Sequence, residues 1–177
     1  TLIFSDGSDT LEVPLTVDVE ALQVVKMVAD YEQPYIYMVH TSATSPYQSR
    51  LVWYNTDTEA VEQVRDAGMN ADDLTVHYAD DRIYINNAGT TKQVFDRSAK
   101  EALAPLVLAD SENGISAAGA GQVVVESEGS FVRIGLQETA TGNELSYHYW
   151  VWPGDGECTS DGRFYYHVES DGSSSLD

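Results

Sequence analysis

Basic residues are scarce in this 177-residue sequence. Nine lysines and arginines stand against 29 aspartates and glutamates, which gives a formal net charge of -20. A protein that binds nucleic acid needs a basic surface to displace counterions from the phosphates. A protein that binds an anionic membrane leaflet needs basic residues as well. The composition therefore argues against both kinds of partner. It indicates an acidic coat whose self-repulsion is relieved by screening salt or bound cations.

Cysteine and long apolar runs are also lacking. Cys158 is the only cysteine, so no disulfide bond forms within the chain, and we expect its thiol to be a small buried apolar group. No run approaches the roughly 18 apolar residues of a membrane span. The first twenty residues carry aspartates where a signal peptide has basic residues. We expect no membrane insertion, while export stays open.

Catalytic motifs are missing as well. The sequence has no G-x-S-x-G elbow, no P-loop and no H-E-x-x-H pair, and its glycines at 114, 119 and 121 do not open a helix. Its four histidines lack the close spacing of a metal site. A non-enzymatic protein is the favoured expectation.

The first residues show the two-residue alternation of a β-hairpin. Apolar residues stand at every second position from Leu11 to Val19, and a turn at 5–9 follows the apolar residues 2–4. We expect a hairpin over residues 1–20. It resembles the closing hairpin of an immunoglobulin-like bacterial sandwich domain, which would place most of that domain upstream. The alternative is an ordinary first hairpin of the main domain.

Residues 21–177 contain a repeat. A short apolar run follows a turn at Ile36, Ile83, Val123 and Phe164, at intervals of 47, 40 and 41 residues. Further apolar runs complete each unit, and the last of them are expected at 61–64, 103–108 and 145–152. Four short strands in about 40 residues are typical of a β-propeller blade. We expect an all-β fold with antiparallel blades at 24–65, 70–109 and 113–152 and an incomplete one at 157–177.

Two segments carry a family resemblance. They read IYINNAGTTKQVFDRSAKEA (83–102) and VVVESEGSFVRIGLQETATGNEL (123–145), and each has the order strand, turn, strand, turn. Over about residues 24–166 the chain resembles YVTN-type β-propeller repeat proteins. The resemblance implies a scaffold with loops at the propeller faces. A closed ring has about four to eight blades, so either the chain continues or another copy completes the assembly, and we favour continuation.

Aromatic residues are concentrated at 147–152. We take Tyr149, Trp150 and Trp152, together with Trp53, as candidate ligand-binding residues. Exposed rings stack on sugars or anchor a partner protein. Burial between blades is the alternative for the same rings.

Two acidic loops offer oxygen ligands to calcium. Asp155, Glu157 and Asp161 are the candidate metal ligands, although they lack the spacing of the twelve-residue EF-hand loop. Asp-Gly is also the favoured sequence of a hairpin turn. Calcium is the only cofactor that the sequence suggests.

The favoured function is a non-enzymatic binding or scaffold module of an exported or cell-surface protein, located outside the cell, at its surface or in the periplasm. Loops on a propeller face would recognise a protein or a glycan. One alternative is a propeller-based enzyme (a lyase, hydrolase or quinoprotein) with its site at the central axis. Another is a structural component of a surface layer or filament. Self-association and neighbouring domains of a longer chain are further candidate contacts.

Overall fold

The fold is described by a computed structural model over residues 2–5, 10–13, 22–43, 46–87, 89–108, 112–127, 133–149, 154–159 and 163–169. Within these ranges the chain forms sixteen β-strands and one short 3-10 turn, Tyr78–Asp80. The strands are β1 (Leu2–Ser5), β2 (Thr10–Val13), β3 (Leu22–Ala29), β4 (Tyr35–Ser42), β5 (Gln48–Asn55), β6 (Ala60–Met69), β7 (Ala71–His77), β8 (Arg82–Asn87), β9 (Thr91–Asp96), β10 (Leu106–Val107), β11 (Glu112–Ala117), β12 (Gln122–Ser127), β13 (Arg133–Glu138), β14 (Glu144–Tyr149), β15 (Gly154–Cys158) and β16 (Tyr165–Glu169).

The strands form three four-stranded antiparallel sheets, β3–β6, β7–β10 and β11–β14, which we call blades 1, 2 and 3. Within each sheet, every strand pairs with the strand that precedes or follows it in the chain. The two-stranded sheet β15–β16 is called blade 4, and β1–β2 forms a separate hairpin. The expected all-β fold of about three blades and a fragment is confirmed. Among the described residues, no helix is long and apolar enough to cross a membrane.

The outer strand of blade 2 is shorter than the expected 103–108, since β10 holds only Leu106 and Val107. Pro105 explains the difference, because proline has no N–H to donate to a neighbouring strand. The backbone N–H of Leu103 still donates to the carbonyl oxygen of Val94 at 2.8 Å. In blade 1 the hairpin of β4 and β5 is longer than that of β8 and β9, since each of its strands has eight residues and the pairing extends to Thr41 and Ser49.

Each blade has a leading face, toward the preceding blade, and a trailing face, toward the following one. One buried cluster joins blades 1 and 2 and another joins blades 2 and 3. In the first, Tyr37 and Trp53 of blade 1 pack with Ile83 and Phe95 of blade 2. In the second, Tyr84 of blade 2 lies in one buried cluster with Val123 and Val125 of blade 3. Alternate positions of each strand therefore serve opposite faces, as the pleat requires.

The first strand of each blade lies innermost. β7 contacts both β3 and β11, and β11 also contacts β15. The hairpin β1–β2 pairs Leu2 with Val13 and Ser5 with Thr10. Its assignment to an upstream sandwich domain stays a prediction.

Candidate binding surface on the turn face

The residues predicted from sequence to bind a ligand divide into a core residue and a C-terminal group. Trp53 is fully buried between blades 1 and 2. Its indole N–H donates to the carbonyl oxygen of Arg97 at 3.3 Å, and its ring makes edge contacts with Tyr37 and Phe95. Trp53 is therefore a packing residue of the core between blades 1 and 2.

The C-terminal candidates lie in or beside β14 and β15. Tyr149 ends β14, while Asp155 and Glu157 lie in β15, and the side chains of all three are outside the described part of the chain. Trp150, Trp152 and Asp161 lie outside the described residues altogether. Within the described part, no group of three or more His, Cys, Asp or Glu side chains is placed to hold a metal ion. Calcium binding near Asp155 stays a prediction.

One end of the blades brings together turns that are distant in the sequence. The first and third turns of each antiparallel blade lie at the same end, because successive strands reverse direction. We call this end the turn face; it consists of residues 30–34, 55–59, 78–81, 96–100, 118–121 and 138–143.

Arg97 is the centre of the turn face between blades 1 and 2. Its Nη1 donates to both carboxylate oxygens of Asp30 at 3.2 and 3.1 Å. Its Nη2 donates to Glu32 at 2.7 Å, and its Nε donates to Asp81 at 2.6 Å. Burial lowers the pKa of Arg97, but its hydrogen bonds to Asp81 and Glu32 outweigh this effect and raise it overall. The guanidinium therefore stays charged and joins the turns of two blades.

Asp30 is the buried member of this group. Its carboxylate also accepts a hydrogen bond from the hydroxyl of Tyr37 and two from the backbone N–H groups of Glu32 and Gln33. Burial, and then the hydrogen bond to Asp30, raises the pKa of Tyr37 well above its usual range. The buried carboxylate is thus paired and hydrogen-bonded, which is the condition for keeping its charge inside the protein.

Two tyrosines extend the group toward solvent. The guanidinium carbon of Arg97 lies 5.0 Å from the ring centre of Tyr78, within cation–π distance. The ring of Tyr31 lies 3.9 Å from that of Tyr78, centre to centre, and is largely exposed. Tyr31 is therefore an exposed aromatic surface on a fixed base.

The group is acidic overall. Asp30, Glu32 and Asp81 contribute three carboxylates against the single guanidinium of Arg97, a formal charge of -2. Glu32 and Asp81 are both partly exposed. A further ion pair, Lys100 with Glu62, lies beside it. The turn face thus offers carboxylates beside an aromatic ring, an arrangement that suits a cationic group.

The junction of blades 2 and 3 uses backbone contacts in place of a guanidinium. The Nε2 atom of His77, which is fully buried, lies 2.8 Å from the carbonyl oxygen of Gln122. The carboxylate of Asp80 accepts from the backbone N–H of Gly121 at 2.9 and 3.0 Å. Thr139 holds in blade 3 the position of Arg97 in blade 2, since their N–H groups make equivalent bonds to the preceding turn. Among the described residues, the junction of blades 2 and 3 therefore has no counterpart of the Arg97 guanidinium.

The central axis holds a cavity of about 200 Å³ between the inner strands β3, β7, β11 and β15. Lys26 and Cys158 contribute polar atoms to its lining, and Lys26 pairs with Asp73 at 2.8 Å. The described lining residues include no histidine or carboxylate.

No protein-family model and no curated protein matches this sequence. Solved structures resemble its fold. The Myceliophteria thermophila Cps50 (Swd1) β-propeller domain is 10% identical with a TM-score of 0.61, over 89% of this chain and 52% of that one. BamB from Moraxella catarrhalis is 16% identical with a TM-score of 0.57, over 82% and 40%. Pyrococcus horikoshii acylaminoacyl peptidase is 10% identical with a TM-score of 0.60, over 76% and 26%.

The similarity establishes the fold. This chain is a partial β-propeller and spans about half or less of the length of these three proteins. Identities this low carry no information on ligand or activity.

Proposed function

We propose that this chain is a non-enzymatic binding module of an exported or cell-surface protein, and that its turn face recognises a partner protein through lysine or arginine side chains. The observation that carries the proposal is the exposed ring of Tyr31 beside the partly exposed carboxylates of Glu32 and Asp81. A cationic side chain gains from both kinds of group, through cation–π and ionic contacts.

The rigidity of the surface supports the proposal. Tyr31 stacks on Tyr78, and Tyr78 lies beneath Arg97, which is fixed by the buried carboxylate of Asp30. A preorganised surface loses little conformational entropy when a partner binds. The net charge of -20 also steers a basic partner toward the protein and disfavours acidic ones.

A short arginine–glycine peptide tests the proposal by titration calorimetry. We expect binding that weakens as sodium chloride increases, because ionic contacts are screened. Replacing Tyr31 with alanine should weaken binding by about two- to fivefold, the equivalent of roughly 0.5–1 kcal/mol for an exposed cation–π contact. Glu32→Gln should produce a loss of similar size.

Asp66→Asn is the matched control. It removes one exposed carboxylate from the opposite end of blade 1, and asparagine keeps the Oδ1 atom that accepts from Gly68. The peptide affinity should then be unchanged. An equal loss in Asp66→Asn and Glu32→Gln would reduce the effect to net charge and contradict a site on the turn face. Salt-independent binding of a neutral oligosaccharide, without peptide binding, would favour the glycan alternative.

A further inference from the structure

The exposed ring of Tyr31 is held in place from two sides. Its centre lies 3.9 Å from the ring centre of Tyr78, and 63% of the residue is exposed. The backbone N–H groups of Glu32 and Gln33 both donate to Oδ1 of Asp30, at 2.8 and 3.1 Å. Side-chain bonds of this kind fix the conformation of a turn. Tyr31 and Glu32 therefore stand on a fixed piece of backbone.

The carboxylate of Glu32 lies close to this ring. Burial, and then the negative charge of Glu32, raises the pKa of the Tyr31 hydroxyl above its ordinary value. The side chain of Glu32 is 45% exposed, and its Oε2 accepts one hydrogen bond, from Nη2 of Arg97 at 2.7 Å. A carboxylate has about four lone-pair sites on its two oxygens. Glu32 can therefore accept further hydrogen bonds from a ligand beside Tyr31.

Arg97 shows how a guanidinium uses a tyrosine and a carboxylate at once. Its guanidinium carbon lies 5.0 Å from the ring centre of Tyr78, while Nη2 donates to Glu32 and Nε donates to Asp81. The two kinds of contact are compatible because a guanidinium is planar and its N–H groups form a fork at its edge. A second guanidinium on Tyr31 would make the same two kinds of contact. The group has a formal charge of -2, so one added cation leaves it at -1.

Lys100 shows what an ammonium uses on the same face. Its Nζ lies 4.5 Å from the ring centre of Tyr35 and donates to the hydroxyl of that ring at 2.8 Å and to Oε2 of Glu62. The Tyr35 hydroxyl donates to the same Oε2 atom at 2.9 Å, so both acceptors converge on one point. An ammonium is a compact, strongly hydrated point charge, and convergent acceptors replace its water. Among the described residues, the hydroxyl of Tyr31 makes no such bond to a carboxylate.

We propose that the turn face selects arginine over lysine, with the guanidinium of the partner flat on Tyr31 and hydrogen-bonded to Glu32. This selection rests on the proposed binding of cationic side chains at the turn face and adds a choice between the two. A guanidinium is more weakly hydrated than an ammonium, so it loses less on leaving water. Its fork also matches a carboxylate through two parallel bonds, which an ammonium cannot form.

Two matched peptides test the selection by titration calorimetry. They have the same length, net charge and glycine spacing, and one contains arginine where the other contains lysine. At equal ionic strength we expect the arginine peptide to bind about fivefold more tightly, because charge-assisted bidentate bonds are the stronger ones. Equal affinities, both weakened by Tyr31→Ala, would overturn the selection and leave the turn-face site intact. Binding of neither peptide would overturn the selection and the proposed function together.

Three variants test which groups distinguish the two peptides. Glu32→Gln should bring the ratio of the two affinities close to one, because an amide has one acceptor oxygen and no charge; that oxygen can still accept from Arg97. Tyr31→Phe keeps the aromatic ring and should leave the ratio unchanged. Asp66→Asn is the control, since it removes an exposed carboxylate from the opposite end of blade 1 and should change both affinities by the same factor. An arginine preference that persists in Glu32→Gln would overturn the role of Glu32.

Discussion

Replacing Arg97 with methionine is expected to be the most destabilising single change on the turn face. The side chain of Arg97 is 6% exposed and that of Asp30 is 0% exposed. Methionine fills a similar volume but removes the charge that compensates Asp30. The variant therefore leaves a buried carboxylate whose remaining partners are the Tyr37 hydroxyl and two backbone N–H groups.

The expected loss is about 3–5 kcal/mol, the cost of breaking a buried ion pair by removing one partner. The contacts of Arg97 with Glu32 and Asp81 add little, because both carboxylates are partly exposed and such pairs contribute at most about 1 kcal/mol. A domain of ordinary stability unfolds with about 5–15 kcal/mol. The change thus removes a large share of the total.

Urea unfolding, followed by tryptophan fluorescence, measures the effect as a shift of the midpoint. Adding Asp30→Asn should restore part of the loss, because asparagine still accepts from Tyr37 and carries no charge. Arg50→Met is the control, since Arg50 and Asp66 form an exposed pair at 3.5 Å, and it should cost no more than about 1 kcal/mol. Equal losses for Arg97→Met and Arg50→Met would refute the reasoning.

Two further predictions concern acid and cations. Burial raises the pKa of Asp81, but hydrogen bonds from Ser98 and Arg97 outweigh this effect and hold the pKa below its usual value. The ionised carboxylate therefore stabilises the folded state above about pH 4, and this stabilisation is lost as the pH falls through the lowered pKa. Asp81→Asn should therefore flatten the acid limb of the unfolding free energy against pH. Sodium chloride and calcium chloride at matched ionic strength should raise the melting temperature by the same amount, because both screen the acidic surface. A larger rise with calcium that Asp155→Asn abolishes would instead indicate a calcium site at Asp155.

The blades could be predicted because each depends on short-range pattern. Ile36, Ile83 and Val123 start apolar runs after turns, and they lie in β4, β8 and β12 as expected. The register of a strand was harder to predict than its presence. In blade 4, Tyr165 and not Phe164 holds the position that Ile83 has in blade 2. The turn before β16 includes Phe164, and turn length cannot be read from apolar runs alone.

The Arg97 group could not be predicted, because its members are distant in the sequence. Arg97 and Asp30 are 67 residues apart and meet only because the turns of neighbouring blades lie at the same end. The only sequence signal was a basic turn at 97–100 in a chain with few basic residues. The sequence also left open whether Trp53 is buried or exposed, because an aromatic residue in a strand suits a core and a binding surface equally well.

The two junctions between blades 1, 2 and 3 differ in the number of apolar side chains that they bury. Among the described residues, eleven buried apolar side chains join blades 1 and 2 and seven join blades 2 and 3. Stacked repeats derive their stability from each unit and its contacts with neighbours. Blades 1 and 2 should therefore behave as one cooperative unit, whose amide hydrogens exchange only in global unfolding. Blade 3 can separate from them at a lower free energy, which makes its amide protons the earlier ones to exchange.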